Sequence, residues 1–159
     1  MNTFEYSDKL LDLFLADIDT GIHWNDTSHR YEYNNGSPVA TKDVPLALSV
    51  SFDGTDKSIA NKLRQEDVAA EEFNSDSSLP FIAFYFAGAD ITRNDYMNRA
   101  ILRIDVYAKS YADVTAIRAR IVELIHSTFD ERVRAEGQRS SGIDNVYKYR
   151  LEFTPLVFT

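Results

Sequence analysis

Apolar residues recur at three- and four-residue spacing near the start of the chain: Leu10, Leu11, Phe14, Leu15 and Ile18, with Asp8, Asp12 and Asp17 between them. That spacing lays one apolar stripe along a helix and predicts a first helix over 4–18, stopped near Gly21. Residues 20–45 follow neither a helical nor a strand period. Within them Tyr31-Glu32-Tyr33 reads as one arm of a short hairpin with Asn35-Gly36 as its turn; otherwise the stretch is an arm that orders against a neighbour. Over 45–53, Leu46, Leu48, Val50 and Phe52 alternate with Ala47, Ser49 and Ser51. This predicts a half-buried strand that Asp53-Gly54 ends. Residues 56–74 hold only Ile59, Leu63, Val68 and Phe73 as sparse apolar positions, which suits one or two short surface helices. Residues 74–78 read as a polar loop.

The second half is patterned more strongly. After Pro80, residues 81–87 are apolar on both faces, as in a strand central to a sheet. Residues 88–98 read as a polar connection. Then Ala100, Leu102, Ile104, Val106 and Ala108 alternate with Ile101, Arg103, Asp105, Tyr107 and Lys109, predicting a strand with one wet face. Ser110 and Asp113 have capping spacing. They open a helix predicted over 111–134, whose stripe is Val114, Ile117, Ile121, Leu124, Ile125 and Phe129. Gly137–Gly142 reads as a flexible loop. The last strand is predicted over 145–153, with Tyr147, Tyr149, Leu151 and Phe153 inward and Lys148, Arg150 and Glu152 outward. Pro155 then breaks it before Leu156-Val157-Phe158.

Strands that hairpin together under a long helix make an α+β fold. The expected architecture is a mostly antiparallel sheet of about four strands, with the long helix packed on one face and the N-terminal helix added. No internal repeat or linker divides the chain, so residues 1–159 read as one domain with an irregular loop or arm at 20–45. At 159 residues, such a chain hides roughly 70% of its unfolded surface on folding, enough for a core without staples.

Composition narrows the chemistry. The chain has no Cys, which excludes a disulfide scaffold, a thiolate zinc site and a Cys nucleophile. No apolar run approaches the roughly 18–20 residues of a membrane span, and the first residues lack a basic signal region; a cytoplasmic place of synthesis is expected. The net charge of −8 repels free duplex DNA on average. The residues that might form a local basic face are Arg118, Arg120, Arg132, Arg134, Arg139, Lys148 and Arg150. The plainer expectation is a set of solvated cations interleaved with acids.

Phosphate-loop, HExxH, GxSxG and EF-hand patterns are absent. His23, Asp26 and His29 share one loop at spacings of three and can be read as metal ligands, or as a polar loop with two exposed histidines. His126 reads as a helix-flank residue. Asp105 and Lys109 at a strand end, with Asp90 and Asp95 upstream, admit a Mg²⁺-dependent nuclease. However, Tyr107 stands where a nuclease places its second acid, and an ion pair across strands explains Asp105 more simply. Trp24, Tyr31 and Tyr33 lie in the irregular stretch without an obvious core position. With Leu156, Val157 and Phe158 they form the candidate assembly interface.

The run from Leu79-Pro80-Phe81-Ile82, through Ala100–Ser110 and the helix with Ile117, Ile121 and Ile125, to Tyr147-Lys148-Tyr149-Arg150-Leu151-Glu152-Phe153 resembles the tail terminator (tail completion) proteins of long-tailed bacteriophages. The shared features are a short first helix, a Pro-led strand, a strand ending in a small residue plus Ser, a long helix and a last aromatic strand. The likeness covers about half of the chain from Leu79 onward, plus the first helix. It implies a structural virion protein made in the host cytoplasm: a closed ring of copies, usually a hexamer, on the head-proximal end of the tail tube. Such a ring ends tube growth and joins the tail to neck or connector proteins, and DNA passes through its lumen without specific binding. No catalytic residue, cofactor or metal is implied, and no membrane. Another head–tail connector or minor tail protein is the alternative of the same class; the nuclease is the alternative of a different class.

Overall fold

Helix α1 (Thr3–Leu15) begins at Asn2 with a reciprocal cap. The Glu5 N–H donates to Asn2 Oδ1 at 2.9 Å, and the Asn2 N–H donates to the Glu5 carboxylate at 3.3 Å. The structure, a computed structural model, describes residues 1–18, 21–50, 62–67, 79–90 and 97–158, with 89, 90, 97 and 98 described by backbone alone. Tyr6, Leu10 and Phe14 are the buried stripe of α1. The helix stops three residues short of the expected end. Ile18 is exposed and Asp17 buried, the reverse of the stripe's extrapolation.

The stretch expected to be irregular contains a two-stranded sheet, β1 (Ile22–Asn25) antiparallel to β2 (Arg30–Tyr33). The predicted arm 31–33 is β2. Its partner precedes it, so the turn of this hairpin is 26–29. Asn35-Gly36 makes a second turn, Gly36 at φ +86°, which brings Pro38 back to bridge Glu32.

The strand expected over 45–53 is a correction. Leu46–Ser49 is a short helix, α2, and 51–53 lie outside the described residues. Leu46 and Val50 satisfy an alternating pattern and a four-residue spacing equally well. Pro45 at the N-cap and the Asp17 carboxylate, which accepts the Leu46 N–H at 2.7 Å, settle the matter for the helix. Of the predicted surface helices, 56–61 and 68–74 fall outside the described residues. Between them Leu63–Arg64 is a short strand, β3.

The remaining strands are β4 (Phe81–Asp90), β5 (Met97–Ala108), β6 (Ala135–Ser140), β7 (Tyr147–Phe153) and β8 (Leu156–Phe158). They join β3 in a six-stranded sheet of order β3-β4-β5-β7-β6, with β8 pairing the start of β5 beyond the end of β7. The fold is α+β as expected. The sheet is larger than the expected four strands and is mixed, since β3 runs parallel to β4 and the other pairs are antiparallel. The expected connection 88–98 is partly strand at 88–90 and 97–98, and a bulge lies between Phe86 and Gly88.

Helix α3 (Tyr111–Phe129) opens on Ser110, whose Oγ accepts the Asp113 N–H at 3.1 Å. It ends five residues before the predicted 134, because Asp130 takes a left-handed conformation (φ 54°) and closes the last turn. The expected loop 137–142 is instead largely β6, an edge strand with no large apolar side chain. Its pairing with β7 makes it a strand.

Helices α1 and α3 cover one face of the sheet. Tyr6, Leu10, Phe14, Val114, Ile117, Ile121 and Ile125 pack there against Ile82, Phe84, Leu102, Ile104, Val106, Leu151 and Phe153. Each such aliphatic or Phe side chain contributes about 1.5–3 kcal/mol of transfer free energy on full burial. Phe84 meets Phe14 edge to face at 5.5 Å, and Tyr6 stacks on Phe129 at 4.4 Å.

Candidate functional site

The opposite face of the sheet was expected to be wet, and it is not. Period-2 alternation sends Arg103, Asp105 and Tyr107 of β5 there, beside Glu152, Arg150 and Lys148 of β7. Asp105 and Tyr107 are buried, Asp105 completely. The Arg150 Nε donates to Asp105 Oδ1 at 2.9 Å and its Nη2 to Oδ2 at 3.2 Å. Lys148 Nζ lies 3.8 Å from the same carboxylate and over the Tyr107 ring at 5.4 Å. Arg150 also donates to the Tyr85 hydroxyl at 3.2 Å, and Arg103 pairs with Glu152 at 3.0 Å.

The Arg150 guanidinium is held above its ordinary range by its hydrogen bond to Asp105. Burial first, and the Asp105 charge second, push the Tyr85 and Tyr107 phenols up. At one corner Leu79, Phe81, Ala83 and Tyr107 form a small apolar cluster joined by Ile143 and Val146.

This arrangement counts against Asp105 as a metal ligand. Its carboxylate is enclosed and already bonded to two cations, whereas a catalytic Mg²⁺ needs open oxygen ligands and retained waters. Asp95 and the Asp90 side chain lie outside the described residues. Asp105 is the ion pair across strands that the alternation suggested, and sequence spacing did not show that Arg150 and Lys148 would bury it.

His23, Asp26 and His29 are all exposed on the β1–β2 hairpin, and no group of three metal-binding side chains occurs among the described residues. Asp26 instead accepts the Trp24 Nε1–H at 2.8 Å. The hairpin is organised by Glu32. Its carboxylate accepts from Arg30 Nε (2.8 Å), Ser28 Oγ (2.8 Å) and Asn25 Nδ2 (3.0 Å). These bonds, Arg30 first, lower its pKa to about 2.

The candidate interface residues separate into different settings. Tyr31 is half-buried and donates its hydroxyl to Leu48 O at 2.9 Å, so it ties the hairpin to α2. Trp24 is half-buried against Tyr31, ring centroids 5.0 Å apart. Tyr33 is exposed. At the other end of the sequence Val157 is buried within the chain, while Leu156 and Phe158 are exposed on β8. The Phe158 N–H donates to Met1 O at 2.7 Å, which ties β8 to the start of α1. Tyr147, expected inward, is exposed, and Tyr149 is half-buried.

Of the seven candidate basic-face residues, Arg118, Arg120, Lys148 and Arg150 are held in ion pairs. Arg118 binds Glu136 through two bonds of 2.9 Å. Arg120 grips Asp17 at 2.9 and 2.6 Å and donates to Lys42 O, tying α3 to the turn before α2. Arg132, Arg134 and Arg139 are exposed. His126 is exposed near the end of α3, 4.0 Å from Asp130.

The sequence reading missed a groove between α3 and β7. Tyr111, Val114, Thr115, Arg118 and Tyr149 line about 230 Å³ of space. Exposed Tyr111 stands at its mouth, its ring edge-on to Tyr147 at 6.5 Å. No protein-family model matches the chain, and no curated protein matches it. Among the described residues, no helix is long and apolar enough to cross a membrane.

Proposed function

We propose that this chain is a structural assembly protein that forms a ring of its own copies. The reading is a tail terminator at the head-proximal end of a phage tail tube, joining tube to neck. The observation that carries it is the set of large apolar side chains left in solvent. Phe4, Leu156 and Phe158 are exposed at one end of the molecule, and Tyr111 and Tyr147 at the other. Aromatic side chains are enriched at the cores of protein–protein interfaces, and neighbouring exposed apolar groups are where such contacts form. The order of elements supports the tail-terminator version: a short first helix, a Pro-led strand, a long strand closing on Ala108 and Ser110, a long helix and a last aromatic strand. The acidic charge of −8 suits a lumen through which DNA moves without binding.

Light scattering over a range of concentrations, with negative-stain images of the same samples, tests the reading. A closed ring of about six copies is the expected result. A monomer at every concentration would count against a self-assembling ring and favour a connector that assembles only on a partner.

A further inference from the structure

Strand β6 ends the sheet on one side among the described residues, and β3 on the other side has only two residues. An edge strand turns a row of backbone N–H and C=O groups outward, and proteins blunt such edges with proline, a bulge, charge or extreme shortness. β6 has no proline and no bulge. It holds six consecutive pairs with β7, from Ala135↔Glu152 to Ser140↔Tyr147, without a shift of register.

Helix α3 stands beside this edge. Arg118 binds Glu136, and Tyr111 meets Tyr147, the partner of Ser140. β6 therefore runs back along the flank of α3, and a concavity lies on either side of the Arg118–Glu136 pair. Tyr111, Val114, Thr115 and Tyr149 line the first, of about 230 Å³. Val122, His126 and Val133 line the second, of about 370 Å³. A cavity of about 150 Å³ accepts a benzene ring, so each has room for one large apolar side chain. Val114 and Val122 are eight residues apart on α3, roughly 12 Å. Four residues of extended chain cover roughly 13 Å and return the side chain to the same face. A strand laid on β6 can therefore seat one apolar side chain in each concavity. The residue midway between them faces the Arg118–Glu136 pair.

We propose that β6 binds an extended segment of a different protein by strand addition, selecting large apolar residues four apart around a polar one. Among the described residues, no strand of this chain with an open edge fits. β6 carries no large apolar side chain, and β1, β2, β3 and β8 have four residues or fewer, too few to present such a pair. Charge sets the flanks of the segment. Beside the edge, exposed Arg132, Arg134 and Arg139 outnumber Asp130 and Glu131, and Glu136 is taken up by Arg118, in a chain whose net charge is −8. Two such edges repel each other, whereas acidic flanks are attracted. The proposal is independent of the ring reading, which concerns contacts between copies.

The probe is a synthetic nine-residue peptide with two Asp at each end, Phe third, Leu seventh and Thr between them. It is titrated into the full chain and followed by amide hydrogen exchange. The expected result is slowed exchange at alternate N–H groups of β6. Moving the Leu one position toward the Phe puts the two side chains on opposite faces and should weaken binding at least tenfold. Thr115→Trp, which fills the first concavity from an exposed position, should do the same. Arg132→Glu combined with Arg134→Glu should lose the acidic peptide and gain the same peptide with Lys at its ends, a reversal that general damage to the fold would not produce. A peptide that does not bind, binds without slowing β6 exchange, or binds equally well with its Leu moved overturns the proposal. Light scattering of the same samples keeps it apart from the ring. Assembly undone by the peptide would make β6 a contact between copies and overturn the different partner. Peptide binding that leaves the assembly state unchanged, ring or monomer, upholds it.

Discussion

Strand β5 sends Leu102, Ile104 and Val106 to one face of the sheet and Arg103, Asp105 and Tyr107 to the other, and most of both sets leave water. The helix face is closed by hydrocarbon from α1 and α3. The opposite face is closed by ions: Asp105 lies under Arg150 and Lys148, with Tyr85 and Tyr107 beside them. The difference teaches how each face tolerates change. Apolar packing is non-directional and each contact is lost in proportion to volume. A buried ion network depends on every member, because removing one leaves another charged and unpaired.

The largest effect is expected where hydrocarbon is removed from the helix face. Phe84→Ala, which empties the space against Phe14, should lower unfolding free energy by about 3–5 kcal/mol in urea titration. On the ionic face, Arg150→Ala should cost about 3 kcal/mol, since among the described cations Asp105 keeps Lys148 alone, at 3.8 Å. The paired change Asp105→Leu with Arg150→Met should restore most of that loss. If single and double variants fall equally, the ions do not organise that face and the contrast collapses.

Tyr6→Phe sharpens the contrast from the apolar side. The Tyr6 hydroxyl is buried without a hydrogen-bond partner among the described residues, so its removal should raise stability by about 1 kcal/mol. A marked loss would reveal a polar contact on the helix face. Arg103→Ala, at the wetter margin of the ionic face, should change stability by less than about 1 kcal/mol.

Glu32 repeats the ionic arrangement in miniature on the hairpin. Its carboxyl is lowered from 4.5 to about 2 by Arg30, Ser28 and Asn25. A lowered folded-state value means that this stabilisation is present above 4.5 and fades as pH falls toward about 2. The only Trp is Trp24 on the same hairpin. Its fluorescence should therefore hold steady above that window and change within it, and Glu32→Gln should abolish the step.

What could be read from the sequence followed from local pattern. The stripe Val114–Ile117–Ile121–Ile125 and its Ser110 cap located α3, and alternation located β5 and β7. What could not be read depended on partners far along the chain. Asp17 caps α2 across 29 residues, so an alternating segment became a helix. The edge strand β6 exists because β7 lies beside it. Alternation put Asp105 on its correct face but could not foresee Arg150, 45 residues on, closing over it. The exposed Leu156 and Phe158 were legible as residues outside any core period. The groove beside α3 was not, because Tyr111, Val114 and Tyr149 are brought together only when α3 folds back along the sheet.

The length of β5 has a mechanical consequence. It is bonded along one edge to β4 and along the other to β7 and β8, and antiparallel ladder bonds lie across the strand direction. A pull along β5 therefore loads both rows in shear, so that many bonds must give way together. A pull across the sheet would part them one after another. The strand acts as a spar, and Phe158 and Tyr111 stand near its two ends.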